Sequence, residues 1–349
     1  IDPLHVMDQF GTDALRFTLA SMASPGRDLK LAEERIEGYR NFANKIWNAA
    51  RFSLMYLEGP RLSKPFAERP FADRWILSRL NTAIRTVTTE LEAYRFDRAA
   101  NALYHFIWHE YCDWYLELIK PTLQNPAHPD GPATRQTLLD TLETTMRLLH
   151  PFMPFITEEI WQTIPHEGDS IVVQRYPIAN DAWDAPDAEQ RFLLLEQAVS
   201  LVRTGRVLLS YPPGQQIAFA LAHDDAEKQR QLQQLQPHLA HLSRGTSEIA
   251  SQPAWPPAQR LRLVTEGLTI GLVVSGDVDL KKALDRLVKQ REDQDKDMAR
   301  LTGKLDNQDF VAKAPPEVLA EHRMRLRSLE HDQAMLSSSE QQLRAFLKA

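Results

Sequence analysis

Between Asp277 and Ala349 a mostly apolar stripe advances in alternating steps of four and three, through Leu280, Leu284, Leu287, Arg291, Gln294, Met298, Leu301 and Leu305. A stripe that narrow, repeated over so many turns, is a heptad seam and leaves room for one partner helix. After Pro315 and Pro316 the pattern resumes as Leu319, His322, Leu326, Leu329, Gln333, Leu336, Glu340, Leu343 and Leu347. Folded back on itself, the segment sets Leu305 against Leu319, Met298 against Leu326, Arg291 against Gln333, Leu287 against Leu336 and Leu280 against Leu343. Residues 277–349 are therefore expected to form an antiparallel coiled-coil hairpin, an arm whose helices are each ~40 Å long at 1.5 Å per residue. Its polar seam residues Arg291, Gln294, His322, Gln333 and Glu340 should weaken the arm but fix its register. Replacing Arg291 by Leu is then expected to raise the melting temperature.

The rest of the chain divides by its periodicity. Residues 1–34 are mixed, with short helical stretches around Asp13–Ala20 and a turn at Pro25–Gly26. Residues 35–166 read as an up-and-down helical bundle. Its first helix, Ile36–Leu57, buries Tyr39, Phe42, Ala43, Ile46, Ala50, Ser53 and Leu54 and ends at Gly59–Pro60. A second starts near Asp73 and buries Leu80, Ile84, Val87, Leu91 and Tyr94. A third, capped by Asp97, carries Ala100, Leu103, Ile107, Trp114 and Leu118 and stops at Pro121. Leu138, Leu142, Met146 and Leu149 mark a fourth, and Phe155–Gln162 a short fifth. Residues 167–276 read as a small α/β module. Helical stretches near Glu189–Leu209 and Ala226–Leu242 alternate there with strand-like runs Ile217–Leu221, Arg260–Thr265 and Leu268–Val274. The last two runs form a hairpin turning at Glu266–Gly267, and Pro253, Pro256 and Pro257 mark a loop. The fold class is mainly α: a bundle, a small α/β module, then the hairpin.

With 43% hydrophobic and 25% charged residues the composition is that of a globular protein. No run approaches the ~20 apolar residues that span a bilayer, so no membrane partner is expected. The chain opens on Ile1, with no signal-peptide pattern, and reads as a segment of a longer protein. Cys112 is the single cysteine, which excludes an internal disulfide and a Cys-based zinc site and fits the reducing cytoplasm. A formal net charge of −6 excludes a generic RNA-coating protein, since that kind of binding runs on phosphate neutralisation. Any RNA contact must use local patches. No phosphate-cradling glycine loop, metal-ligand spacing or nucleophile–base pair is present. His105, His109 and His150 lie on or beside core faces and read as structural.

On the first bundle helix, the face opposite the core carries Asn41, Asn44, Lys45, Asn48 and Phe52. Amides that bond base edges, a cation that meets phosphate and a ring that stacks are the groups that read single-stranded RNA loops. A solvated polar stripe is the other reading of the same pattern. Arg74, Arg79 and Arg85 on the second helix are either phosphate contacts or that helix's wet face.

Several stretches carry a family resemblance. Residues 41–52, Asn-Phe-Ala-Asn-Lys-Ile-Trp-Asn-Ala-Ala-Arg-Phe, resemble the first bundle helix of the valine-specific class I aminoacyl-tRNA synthetases. The run from Asp73 to Asn81, Cys112-Asp113-Trp114-Tyr115, and the run from His150 to Glu159 are similar to the wider Val, Ile and Leu group. The run from Phe310 to Val318, with Pro315-Pro316, resembles the tip of the arm that valyl enzymes carry, where isoleucyl relatives usually end in a zinc module. The opening Ile1-Asp2-Pro3 with Gly11 to Arg16 looks like the segment just downstream of the family's lysine-rich ATP-binding loop.

The resemblance implies that residues 35–166 bind the anticodon loop of valine tRNA, with Asn41, Asn44, Lys45, Asn48 and Phe52 as the contacts. It implies that the arm reaches the tRNA elbow, with Arg300, Lys304, Lys313, Arg323 and Arg327 as the contacts. Residues 1–34 would be the end of a stem-contact region. ATP and Mg would belong to the parent enzyme, with no cofactor and no metal here, and without the catalytic signatures this segment should be inactive alone. The partners implied are valine tRNA and the remainder of the synthetase, around a monomer. At Val202-Arg203-Thr204-Gly205-Arg206 the chain departs from the family's usual Arg-Asn pair. The alternatives are the equivalent part of an isoleucyl or leucyl enzyme, or a coiled-coil scaffold without catalytic function.

Overall fold

A computed structural model of the chain describes residues 2–23, 31–212, 214–249, 260–265, 267–274, 278–307, 310–311 and 316–347. The turn at Pro25–Gly26, the loop prolines 253, 256 and 257, Glu266 and Lys313 lie outside them. The chain packs as two compact units, residues 1–192 and 193–349.

In the first unit, α1 (Pro3–Phe10) and α2 (Thr12–Met22) bury Val6, Phe10, Ala14 and Leu15 against Ile36. The Asp13 carboxylate accepts from the amides of Phe155 and Ile156, at 3.3 and 2.7 Å. It thereby satisfies N–H groups at the start of α8 (Pro154–Trp161) that have no helical partner. The bundle proper comprises α3 (Glu33–Leu57), α4 (Phe71–Glu92), α5 (Phe96–His105), α6 (Leu116–Gln124) and α7 (Gly131–Leu149).

Three details differ from the sequence reading. Tyr94 does not join the α4 stripe; it lies past the helix end at φ 57 and is 76% exposed. Asp97 sits in the first turn of α5 rather than at its cap, and its carboxylate is chelated by Arg95 at 3.0 and 2.8 Å. Pro121 does not stop its helix. Only three residues of α6 follow it, so its missing N–H removes about one helical hydrogen bond.

Between α5 and α6 the helix widens into a π-helical stretch, Phe106–Tyr115. Ile107, Tyr111, Tyr115 and Ile119 are buried at steps of four, the spacing a wider turn requires to keep one face inward. Two of these rings serve buried polar groups. Tyr111 Oη lies 3.1 Å from Ser53 Oγ, and Tyr115 Oη donates to Asp73 Oδ1 at 2.9 Å. Thr134 Oγ1 donates to the other oxygen of Asp73, also at 2.9 Å. Burial outweighs both bonds and pushes the Asp73 carboxyl up to about 7.

Residues 180–192 lie against α4. Asn81 Nδ2 donates to Asn180 O at 2.9 Å and Asn81 Oδ1 accepts the Asn180 amide at 2.7 Å. Farther on, the Phe192 ring stacks on Trp75 with centroids 3.8 Å apart.

The second unit holds most of α9 (Pro186–Leu208), α10 (Ala226–Ser243) and a four-stranded sheet of order β2-β1-β4-β3. Its strands are β1 (Ile217–His223), β2 (Gly245–Ile249), β3 (Arg260–Thr265) and β4 (Leu268–Val273). β3 and β4 form the expected antiparallel hairpin, Leu263 facing Ile270. β2, which runs parallel to β1 after the α10 crossover, is not legible in the sequence because Gly-Thr-Ser-Glu-Ile lacks an apolar run. A Cβ on Gly245 would stand 2.3 Å from Ile217 O, so only glycine allows this strand to close on β1. Gly205 has a similar reason: its Cβ would lie 2.4 Å from Leu272 Cδ1, so the departure from the family pattern lets α9 lie close on the sheet. Its neighbour Arg206 is buried and donates to the carbonyls of Ser243, Pro212 and Gln215 at 3.2, 2.9 and 2.7 Å, which makes it a structural clamp.

The arm consists of α11 (Leu280–Asp306) and α12 (Pro316–Phe346). Leu287, Leu301, Leu336 and Leu343 are buried as a seam predicts. The register differs from the expected one. Arg291 pairs with Glu340 at 2.9 Å, seven positions beyond Gln333, and Gln333 bonds Asp295 instead. Near the tip Phe310 stacks on His322 with centroids 5.9 Å apart. A slip of one heptad lays the seam on itself, so apolar spacing cannot choose between these registers; the ion pair and the tip stack do. The arm's base is fastened twice. Arg286 Nη1 donates to Ser210 Oγ at 2.7 Å, and the Gln342 amide bonds both the N–H and the carbonyl of Arg262 on β3, at 2.8 and 3.0 Å.

Candidate nucleic-acid interface

Helix α3 positions the candidate stripe. Glu33 and Glu34 in its first turn complement the helix dipole. Ile36, Phe42, Ile46, Ala49, Ala50, Ser53 and Leu57 bury one face. Asn41, Asn44 and Asn48 are exposed on the other, as the sequence reading placed them.

Lys45 and Phe52 do not share that open face; both are half-buried at its border. The π stretch curves around the flank of α3 and brings its side chains to Lys45. The Lys45 ammonium bonds Asp113 Oδ1 and lies 3.9 Å over the Trp108 ring. Trp108 is itself stacked on Tyr104 at 5.4 Å, and Tyr104 packs on Phe42 at 4.9 Å. The second oxygen of Asp113 faces His109 Nδ1 at 3.6 Å. Phe52 packs on Tyr56 at 5.2 Å, with the Lys120 ammonium 5.6 Å from its centroid.

The ring that stands among the exposed amides is Trp47, 39% exposed, three positions from Asn44 and next to Asn48. Sequence reasoning missed it, although its place on the helix follows from the same spacing that groups Asn44 with Asn48. Trp108 was missed, His109 was read as structural, and Asp113 was noted only as part of a family run, because the π stretch that brings all three to Lys45 is not visible to a 3.6-residue period.

His105 and His109 are exposed, not core residues, with side-chain exposures of 65% and 51%. His150 is structural: its Nδ1 lies 2.7 Å from Thr157 Oγ1, and burial holds its pKa below the usual range. Beside the site, burial pushes the Cys112 thiol up to about 12, with Lys45 opposing the shift.

The α4 arginines are neither a wet face nor open phosphate ligands. Arg74 pairs with Asp187 at 2.7 Å, Arg79 with Glu110 and Glu189 at 2.8 and 3.2 Å, and Arg85 with Asp184 and Asp181 at 2.8 and 2.6 Å. They fasten residues 181–189 to the bundle.

On the arm, Arg300, Lys304, Arg323 and Arg327 are exposed. Arg300 lies 3.7 Å from Asp297 on its own helix. Lys304, Arg323 and Arg327 have no ion-pair partner among the described residues, and Lys313 falls outside them.

Residues 73–221 match the family described as the anticodon-binding domain of tRNA ligase, and residues 279–344 match the valyl tRNA synthetase tRNA-binding arm. Helix α3 precedes the first match but packs into it through Ser53, Lys45 and their partners at 111 and 113. A bundle of this kind joined in one chain to such an arm defines the tRNA-gripping class of synthetase segment. Its most similar relatives include the valine–tRNA ligase of Geobacter sulfurreducens, 42% identical over 99% of this chain. That of Carboxydothermus hydrogenoformans is 40% identical over 96%. The chain belongs to the valyl-tRNA synthetase family, and it spans 39% and 38% of the length of these two relatives. Among solved structures, the Agrobacterium radiobacter K84 LeuRS–tRNA–LeuAMS complex is similar over 53% of this chain and 22% of that one, with a TM-score of 0.42 and 22% identity.

Proposed function

We propose that this chain grips valine tRNA for a valine–tRNA ligase, reading the anticodon loop with the bundle and meeting the tRNA elbow with the arm. The observation that carries the reading is the outer face of α3, where Asn41, Asn44 and Asn48 stand open to solvent with Trp47 beside them. Amides in a row can satisfy the Watson–Crick edges of splayed bases, and an exposed indole can stack on one of them. Lys45, its ammonium held by Asp113, and Phe52 border that face. On the arm, Lys304, Arg323 and Arg327 supply phosphate contacts with Arg300 and Lys313, and phosphate contacts position an RNA without reading it.

The bundle of 35–166, the module of 167–276 and the arm of 277–349 are on this reading separate parts of one grip, with residues 1–34 leading in from the stem-contact region. ATP and Mg act in the remainder of the synthetase, not here. The segment works as a monomer in the cytoplasm.

Hydroxyl-radical footprinting of a valine tRNA transcript on the 349-residue chain tests the reading. Protection of the anticodon loop and of the elbow, with an open acceptor end, is the expected pattern. Protection confined to the acceptor stem would refute it.

A further inference from the structure

Of the cations bordering the open face of α3, Lys45 is held in place. Lys45 lies on the Trp108 ring, its ammonium bonded to Asp113, and only 24% of its side chain is exposed. Asp113 is 43% exposed and has His109 on its other side. The exposed amides Asn41, Asn44 and Asn48 border it on α3, and the exposed Arg51 follows Asn48 by three positions.

A phosphate is present at every nucleotide of every RNA, so an unpaired ammonium strengthens binding to all sequences alike. Neutralising that ammonium removes its own sequence-independent contribution and raises the relative weight of the amides and rings, whose contacts differ from base to base. The cost of holding Lys45 is small, because Trp108 attracts its charge from one side while Asp113 bonds it from the other.

We propose that Asp113 is a masking residue, whose carboxylate holds Lys45 on Trp108 and keeps that ammonium away from RNA phosphates. The inference rests on the reading that this face of α3 meets RNA, and it adds a group that works by exclusion.

The test uses the full 349-residue chain and polyuridylate, which carries phosphates but no anticodon. Asp113→Asn keeps the shape of the side chain and removes its charge. It is expected to tighten polyuridylate binding roughly three- to fivefold, the size of a released exposed ion pair. The slope of log affinity against log salt should steepen by about 0.7, the value for one added single-strand phosphate contact. Lys45→Gln in the same chain should cancel both changes. Unchanged or weaker polyuridylate binding by Asp113→Asn, or a gain that survives Lys45→Gln, would overturn the proposal. Because polyuridylate contains no anticodon, a wild-type chain without anticodon preference would count against the anticodon reading and leave this comparison standing.

Discussion

Arg291 Nη1 lies 2.9 Å from Glu340 Oε2, and this pair sets the register of the arm. Glu340 is 7% exposed and is also held by Arg344 at 2.8 Å, so two arginines neutralise one nearly buried carboxylate. The arm could slip by a heptad and keep its leucines matched, but Arg291 would then face Gln333 and Glu340 would lose a partner.

This geometry reverses the expectation for Arg291→Leu. Removing one partner of a buried pair strands the other, whereas replacing both with apolar groups is often stabilising. Arg291→Leu is expected to lower arm stability by about 1–2 kcal/mol, moderated by Arg344. The double change Arg291→Leu with Glu340→Leu should restore or exceed the wild-type melting temperature in calorimetry. A single variant that melts higher than wild type would remove the register role.

Gln342 and Arg262 give a second prediction. The Gln342 amide occupies both hydrogen-bonding groups of a β3 residue, as a further strand would. Gln342→Ala should cost about 1–2 kcal/mol and speed hydrogen exchange at the Arg262 amide. Gln342→Glu, which keeps the acceptor and loses the donor, should protect that amide better than Ala does.

Asp73 makes bundle stability depend on pH. Its carboxyl is raised from 3.8 to about 7 by burial, so the unfolded chain ionises first as pH climbs. The stability tied to the protonated form is complete below pH 3.8 and is lost as pH rises to about 7, an effect on the order of 4 kcal/mol. Asp73→Asn can still accept from Tyr115 and meet Thr134. Its denaturation midpoint should therefore fall less between pH 5 and pH 8 than that of the wild type.

Cys112 should be unreactive. A thiol pushed up to about 12 holds roughly a hundred- to a thousandfold less thiolate at pH 8 than an ordinary cysteine. Alkylation by iodoacetamide, followed by mass spectrometry, should be slower by that order. Alkylation at the rate of free cysteine would mean that the thiol is not buried beside Lys45.

How much of this was legible depended on the range of the interaction. The helices, the β3–β4 hairpin and the seam rest on local periodicity and were readable. The arm's register was not, since a seven-residue repeat is blind to a seven-residue slip. Nor was the π stretch, whose spacing of four from Ile107 to Ile119 passes for an ordinary helix over any single step. The partners of Arg74 and Arg85 lie 113 and 99 positions away, where no local pattern reaches. On α3 the open amides were legible. Trp47 was taken for neither core nor surface, and Lys45 was given to the surface because nothing nearby in sequence announces Asp113.

The most direct measurement is the affinity of the full chain for a valine tRNA transcript against the same transcript with its anticodon bases changed. Changing the anticodon should weaken binding about tenfold or more, at 1–3 kcal/mol per stacked or bonded base. Changing the acceptor end should leave binding nearly unaltered, and Asn44→Ala with Asn48→Ala should erase the anticodon preference. Equal affinity of the wild-type chain for both transcripts would contradict the account.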